Sequence, residues 1–126
     1  MSRPAEAGAA KGRVAGLAGR AAEEIAERLY LALGGRVLAR RWRCAAGEID
    51  LIVALGSETV FVEVKARRGR AAAAEALRPA QAARLAQAAE LYLATMGAGP
   101  CRFDVVLVDG SGHAERIENA LSFDAF

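Results

Sequence analysis

Two short runs constrain this chain most: GEIDLIVAL, starting at Gly47, and ETVFVEVKA, starting at Glu58, with only Gly56-Ser57 between the strand-like stretches. Each alternates apolar and polar residues with a period of two and is rich in β-branched and aliphatic side chains, the pattern of a strand with two unlike faces. The gap is the size of a hairpin turn. The runs therefore form an antiparallel ribbon whose register can be counted. A two-residue loop pairs Leu55 with Glu58, and a four-residue loop pairs Ala54 with Thr59. Both place Asp50 opposite Glu63 and Glu48 opposite Lys65. The other face then carries Ile49, Leu51 and Val53 against Val60, Val62 and Val64, an ordinary apolar core.

Directly opposed side chains have Cβ atoms ~4.5–5.5 Å apart, where like charges repel. Two facing carboxylates coexist if one is protonated, if a cation sits between them, or if the face is well solvated. A hard divalent cation suits two carboxylates with water in the remaining positions, which points to Mg2+ or Mn2+. Asp50 and Glu63 are the metal candidates, with the backbone carbonyl of Val64 as a further oxygen and Glu48 beside Asp50. Lys65 is placed to orient a water or to stabilise charge building on a phosphate. Phosphodiester hydrolysis suits such a set, with Asp50, Glu63 and Lys65 as its catalytic residues. The plainer alternative is a wet face of an antiparallel sheet, with Glu48–Lys65 a surface ion pair worth ~0–1 kcal/mol.

Around the ribbon the chain reads as a mixed α/β domain. Ala18, Ala22, Ile25, Ala26, Leu29 and Leu33 recur at helical spacing and predict a first helix from about Leu17 to Leu33, stopped by Gly34-Gly35. RVLARRWR, Arg36 to Arg43, is a short arginine-rich strand. A basic, alanine-rich connector runs from Ala66 to Arg78, and whether Ala71 to Ala76 adds a helical turn is left open by the pattern. A second helix begins near Pro79, a residue favoured in a first turn. Its buried stripe is Leu85, Ala89, Tyr92, Leu93 and Met96, and Gly97 ends it. CRFDVVLV, Cys101 to Val108, is a strongly apolar strand; HAERIE, His113 to Glu118, is a short edge strand before a C-terminal NALSF. A helical crossover makes the strands on either side of the second helix parallel, and the three earlier strands are antiparallel. The fold class is α/β, an αβββαβ core with a mixed sheet flanked by helices.

Composition sets the limits. A chain of 126 residues suits one domain, expected over residues 17–126, with a flexible Ala/Gly-rich tail over residues 1–16. Thirty-one alanines make the core thinner than an apolar share of 54% suggests. No stretch approaches the ~18 uninterrupted apolar residues of a membrane span, or the ~7–15 of a secretory signal. Cys44 and Cys101 lack a CxxC partner and His113 is the single histidine, which argues for free thiols in a reducing cytoplasm rather than zinc.

The cations say more than the net charge of +2. Fifteen are Arg, and the only lysines are Lys11 and Lys65, so a lysine inside a strand stands out. Arg36, Arg40, Arg41 and Arg43 crowd one strand, and Arg67, Arg68 and Arg70 follow Lys65. Arg41, Arg43, Arg67, Arg68 and Arg70 are the candidate phosphate contacts of a nucleic-acid surface. Trp42 reads as core, with base stacking the less favoured role. Arg102 and Asp104 read as a structural pair, His113 as a solvated loop residue, and Tyr30 and Tyr92 as packing.

The combination GEIDLI, VFVEVKARR and RFDVV closely resembles the YraN-like family of small bacterial proteins, from about Gly19 to Phe123. That family is placed in the PD-(D/E)XK nuclease superfamily, near archaeal Holliday-junction resolvases. The resemblance implies an αβββαβ restriction-endonuclease-like fold, in agreement with the element order above. Asp50 corresponds to the first acid of the superfamily pattern and Glu63-Val64-Lys65 to its E-V-K triplet, with Ile49 in place of the opening proline. Glu23, on the first helix, corresponds to a further acid able to join the metal shell. Gln81 stands where the family usually has a lysine and is an accessory candidate; the family's connector glycine is also missing from Ala71–Ala76. The resemblance implies an Mg2+- or Mn2+-dependent endonuclease acting on DNA, branched or single-stranded forms included, with a homodimer as the resolvase-like arrangement. The alternative is a non-catalytic nucleic-acid-binding or assembly module that retains the nuclease fold.

Overall fold

The computed structural model describes the backbone of residues 3–121 and the side chains of residues 18–121. The elements follow as α1 (Arg3–Ala32), β1 (Arg36–Cys44), β2 (Gly47–Leu55), β3 (Glu58–Lys65), α2 (Arg70–Ala76), α3 (Pro79–Met96), β4 (Cys101–Val108) and β5 (Ala114–Leu121). The five strands form one sheet in chain order. Only β3 and β4 run parallel, because α2 and α3 carry the chain across between them; every other neighbour pair is antiparallel.

Helix α1 begins well before Leu17, as an alanine-rich backbone of high helix propensity allows. The tail expected over residues 1–16 lies outside the described side chains, as does the SF of NALSF. At its other end α1 stops where expected. Gly34 has a φ of 89°, and Gly35 donates its N–H to Tyr30 O at 2.8 Å. A Cβ on Gly35 would sit 2.9 Å from both Tyr30 O and Val53 Cγ1, so only glycine lets the chain turn this close to the sheet. The open question at Ala71–Ala76 resolves as α2, which buries Ala72 and Ala76 against Val105 and Leu107.

Two helical layers cover the sheet. On one side Ala22, Ala26 and Tyr30, spaced by one turn, pack on Leu51, Val53, Val60, Val62, Val106 and Val108. On the other, Leu85, Ala88, Ala89 and Tyr92 of α3 pack on Ile49, Ile52, Phe61 and Phe103. Trp42 joins this second core edge-on to Tyr92 at 5.3 Å. Three members of the expected stripes fall outside the cores: Ala18, Leu33 and Met96 are exposed. Leu33 is 49% and Met96 65% exposed, each lying beyond the last tyrosine that its helix buries.

Candidate functional site

The β2–β3 ladder keeps the counted register from Leu55↔Glu58, across a two-residue turn, to Leu51↔Val62, and ends there. One position further, the Asp50 carboxylate accepts the N–H of Val64 at 2.8 Å, a side chain taking the place of a strand carbonyl. The β1–β2 ladder skips the same residue. Arg40 pairs with Leu51 and Trp42 with Ile49, while Arg41 between them has a φ of 47°, uncommon for a residue with a Cβ. This irregularity breaks the alternation of β2. Ile49 and Ile52, three apart, share the α3-side core, whereas Leu51 faces α1. The expected grouping of Ile49 with Leu51 and Val53 is therefore corrected: the kink at Asp50 turns Ile49 to the other layer.

The kink does not part the two acids. Asp50 and Glu63 interact through their carboxyls, and the Asp50 pKa is pushed up to about 8, first by burial and then by the charge of Glu63, with the Val64 N–H opposing. Glu63 is only 5% exposed. It accepts a 2.6 Å hydrogen bond from Nε2 of Gln81, in the first turns of α3, and lies 3.6 Å from Lys65 Nζ. Arg84 fixes the sense of the Gln81 amide by donating Nε to its Oε1 at 3.2 Å. The same guanidinium donates Nη1 to the Glu48 carbonyl at 3.1 Å and covers Gly47, where a Cβ would collide with it. Lys65 has a second carboxylate, Glu75 of α2 at 3.3 Å, and Glu75 also holds Arg67.

The structure thus brings together Asp50, Glu63, Lys65 and Gln81, with Val64 contributing its N–H. Glu23 borders the same cavity as Asp50 and adds to the repulsion on it, but Arg41 Nε holds its carboxylate at 2.7 Å. Glu48 is a correction. It pairs with Arg43 at 3.4 Å, not with Lys65, because it lies opposite Arg43 in the β1–β2 ladder, beyond the last β2–β3 pair. Among the described residues no three Asp, Glu, His or Cys side chains gather as a metal-binding cluster. A half-buried carboxyl, Asp50, and a buried one, Glu63, interacting with each other, remain. That donor set fits a cation which keeps several waters, as Mg2+ does.

Four of the five expected phosphate contacts are already engaged. Arg41 holds Glu23, Arg43 holds Glu48, Arg67 holds Glu75, and Arg68 lies 3.6 Å from Asp109 and 3.8 Å from Glu115. Arg70 is exposed. Sequence reasoning missed Glu75 and Arg84. Glu75 was signalled as the one acid in the run from Ala71 to Ala76, and Arg84 by standing one helical turn beyond Gln81.

Asp104 lies apart from this site. It is fully buried and accepts Tyr30 OH at 2.7 Å, Arg102 Nε at 3.0 Å and Nη2 at 3.2 Å, Arg116 Nη1 at 3.4 Å, and the Asn119 N–H at 2.9 Å. The structural reading of Arg102 and Asp104 holds, and Tyr30 gains a polar partner as well as packing. Burial, then the bond to Asp104, raises the Tyr30 pKa. His113 is exposed, Cys44 and Cys101 are free thiols, and no described helix is long and apolar enough to cross a membrane.

Residues 22–108 match the model of a family described as "Uncharacterised protein family UPF0102". A UPF0102 protein of Cereibacter sphaeroides is 48% identical over 114 residues, covering 88% of this chain and 97% of that protein. One from Ruegeria pomeroyi is 51% identical over 107 residues, covering 82% and 87%. A more distant source, Symbiobacterium thermophilum, supplies one 47% identical over 110 residues, covering 81% and 93%. The matched span holds β1 to β4 entire, with Asp50, Glu63, Lys65 and Gln81 inside it. The chain belongs to the UPF0102 family.

Proposed function

We propose that the protein is a metal-dependent nuclease of PD-(D/E)XK type that hydrolyses phosphodiester bonds in DNA, branched and single-stranded forms included. One observation carries the reading: Asp50 and the buried Glu63 are held against each other, and burial and the charge of Glu63 push the Asp50 pKa up to about 8. A fold gains nothing in stability from that contact, whereas the two carboxylates would be relieved of their repulsion by holding a divalent cation in place of the proton. Asp50, Glu63 and the Val64 carbonyl would hold Mg2+ or Mn2+, which supplies Lewis acidity toward the phosphate and a more acidic water. Gln81 steadies Glu63 through its 2.6 Å bond, in the place where the resemblance implies a lysine. Lys65, suspended between Glu63 and Glu75, orients the attacking water or meets the charge that builds on the phosphate.

Cleavage of a panel of single-stranded, duplex and branched DNA with Mg2+ or Mn2+ tests the reading. Wild type should cut at least one substrate, and Asp50→Ala should lose turnover by at least about 100-fold while keeping most of its affinity. Equal cutting by both proteins exposes a contaminant. A manganese-soaked crystal gives a check that needs no substrate: an anomalous peak between Asp50 and Glu63 is expected.

The arginines favour a second reading, a binding or assembly module without turnover. Most of the expected phosphate contacts are neutralised within the chain. Under that reading Asp50→Ala binds DNA as well as wild type or better, and no metal ion produces cleavage.

A further inference from the structure

A cavity of 630 Å³ opens beside Asp50, between α1 and β1. Its walls carry four arginines: Arg20 and Arg28 from α1, Arg40 and Arg41 from β1. The β1 pair is spent. Arg40 grips Glu27 with two bonds of 2.7 and 2.8 Å, and Arg41 holds Glu23. Arg20 and Arg28 are exposed, and among the described residues neither makes an ion pair or a hydrogen bond. Among the described residues Arg36, Arg70, Arg78 and Arg84 also make no ion pair, but none of them lines this cavity.

Arg20 and Arg28 share one face of α1, separated by two turns with Glu24 midway, ~12 Å along the axis at ~1.5 Å per residue. That separation exceeds what one phosphate spans, and a guanidinium fork matches phosphate oxygens. Walls this charged do not suit an apolar ligand. A cavity of 630 Å³ is also small for a duplex. We infer that the α1–β1 cavity is a groove for a single DNA strand leading to Asp50, and that Arg20 and Arg28, rather than the arginines after Lys65, hold its phosphates. The inference rests on the nuclease reading for the identity of the ligand and adds where that ligand lies.

Fluorescence anisotropy with a labelled single-stranded oligonucleotide, without metal ion and across a salt series, tests the groove. Three proteins are compared: wild type, Arg20→Gln/Arg28→Gln and Arg67→Gln/Arg70→Gln. The α1 double variant should bind about tenfold more weakly, and its slope of log affinity against log salt should flatten by about 1.4, ~0.7 for each lost phosphate contact. The connector double variant should change less than about twofold. Glu24→Gln, removing the acid between the two arginines, should tighten binding. Unchanged melting temperatures, expected because both arginines are exposed and unpaired, show that folding is intact. Equal losses in both double variants, a larger loss in the connector variant, or the same losses on a duplex that binds more tightly overturn the groove. If wild type cleaves in an Asp50-dependent way while Arg20→Gln/Arg28→Gln binds normally, the groove fails and the nuclease stands. A wild type that binds no single strand removes the groove, and one that also cleaves nothing removes both.

Discussion

The protein buries acids in two places and treats them in opposite ways. Asp104 is wholly inside, yet Tyr30, Arg102, Arg116 and the Asn119 backbone surround it with donors. Asp50 sits on the next-but-one strand, accepts one backbone N–H, and faces a second carboxyl. Each has a left-handed residue close by in the sheet: Asn119 donates to Asp104, and Arg41 marks the position opposite Asp50. Burial alone therefore does not set these two acids apart. The separating feature is whether the fold supplies the compensating charge or leaves it to come from outside.

The largest expected effect breaks the compensated side. Asp104→Ala leaves the Tyr30 hydroxyl and the Asn119 N–H without their acceptor, takes from Arg102 and Arg116 their one buried carboxylate, and should cost about 3–5 kcal/mol in a urea titration. Asp50→Asn should do the reverse in metal-free protein. The Asp50 pKa is raised on folding, so its contribution to stability is complete below the ordinary value of 3.8 and is lost as pH rises through about 8. Wild type should lose stability across that window, and Asp50→Asn should flatten the slope and melt at least about 4 °C higher at its alkaline end. Added Mn2+ should raise the wild-type melting temperature there and leave the variant unmoved.

A gentler probe of the compensated side is Tyr30→Phe, which removes one donor of several and should cost about 1–2 kcal/mol. In a Tyr92→Phe background Tyr30 is the only phenol, and its ultraviolet titration should appear above the ordinary tyrosine range, with alkaline unfolding. Smallest of all is Glu48→Gln, which breaks an exposed pair with Arg43. It should shift stability by less than about 0.5 kcal/mol and leave DNA cleavage unchanged, whereas a tenfold loss of cleavage would return Glu48 to the metal shell.

Much of this was legible in the residues. Alternation across Gly56-Ser57 predicted the register, and Pro79 and Gly97 bracket the second helix as expected. The meeting of Asp50 with Glu63 was also predicted, although by a straight ladder. What the period could not reveal was the kink. It depends on Arg41 leaving the strand region of backbone space, and arginine, unlike glycine, carries no signature of doing so. Glu48 went astray for a related reason: counting within one hairpin ignores the competing strand, and β1 offers Arg43 directly opposite. Glu75 was hidden because an alanine run leaves helix and loop undecided until the apolar face of β4 is there to receive it.

The parallel pairing of β3 with β4 has one more consequence. A chain that must return to begin β4 beside β3 has to leave from the tip of β3, so the opening turns of α3 are delivered to that tip by the route itself. Gln81 reaches Glu63 because of this path, while the packing of α3 is secured further along by Leu85, Ala89 and Tyr92. The rim is thus uncoupled from its foundation: residue 81 can be exchanged and the chemistry retuned, with the layers beneath left as they are.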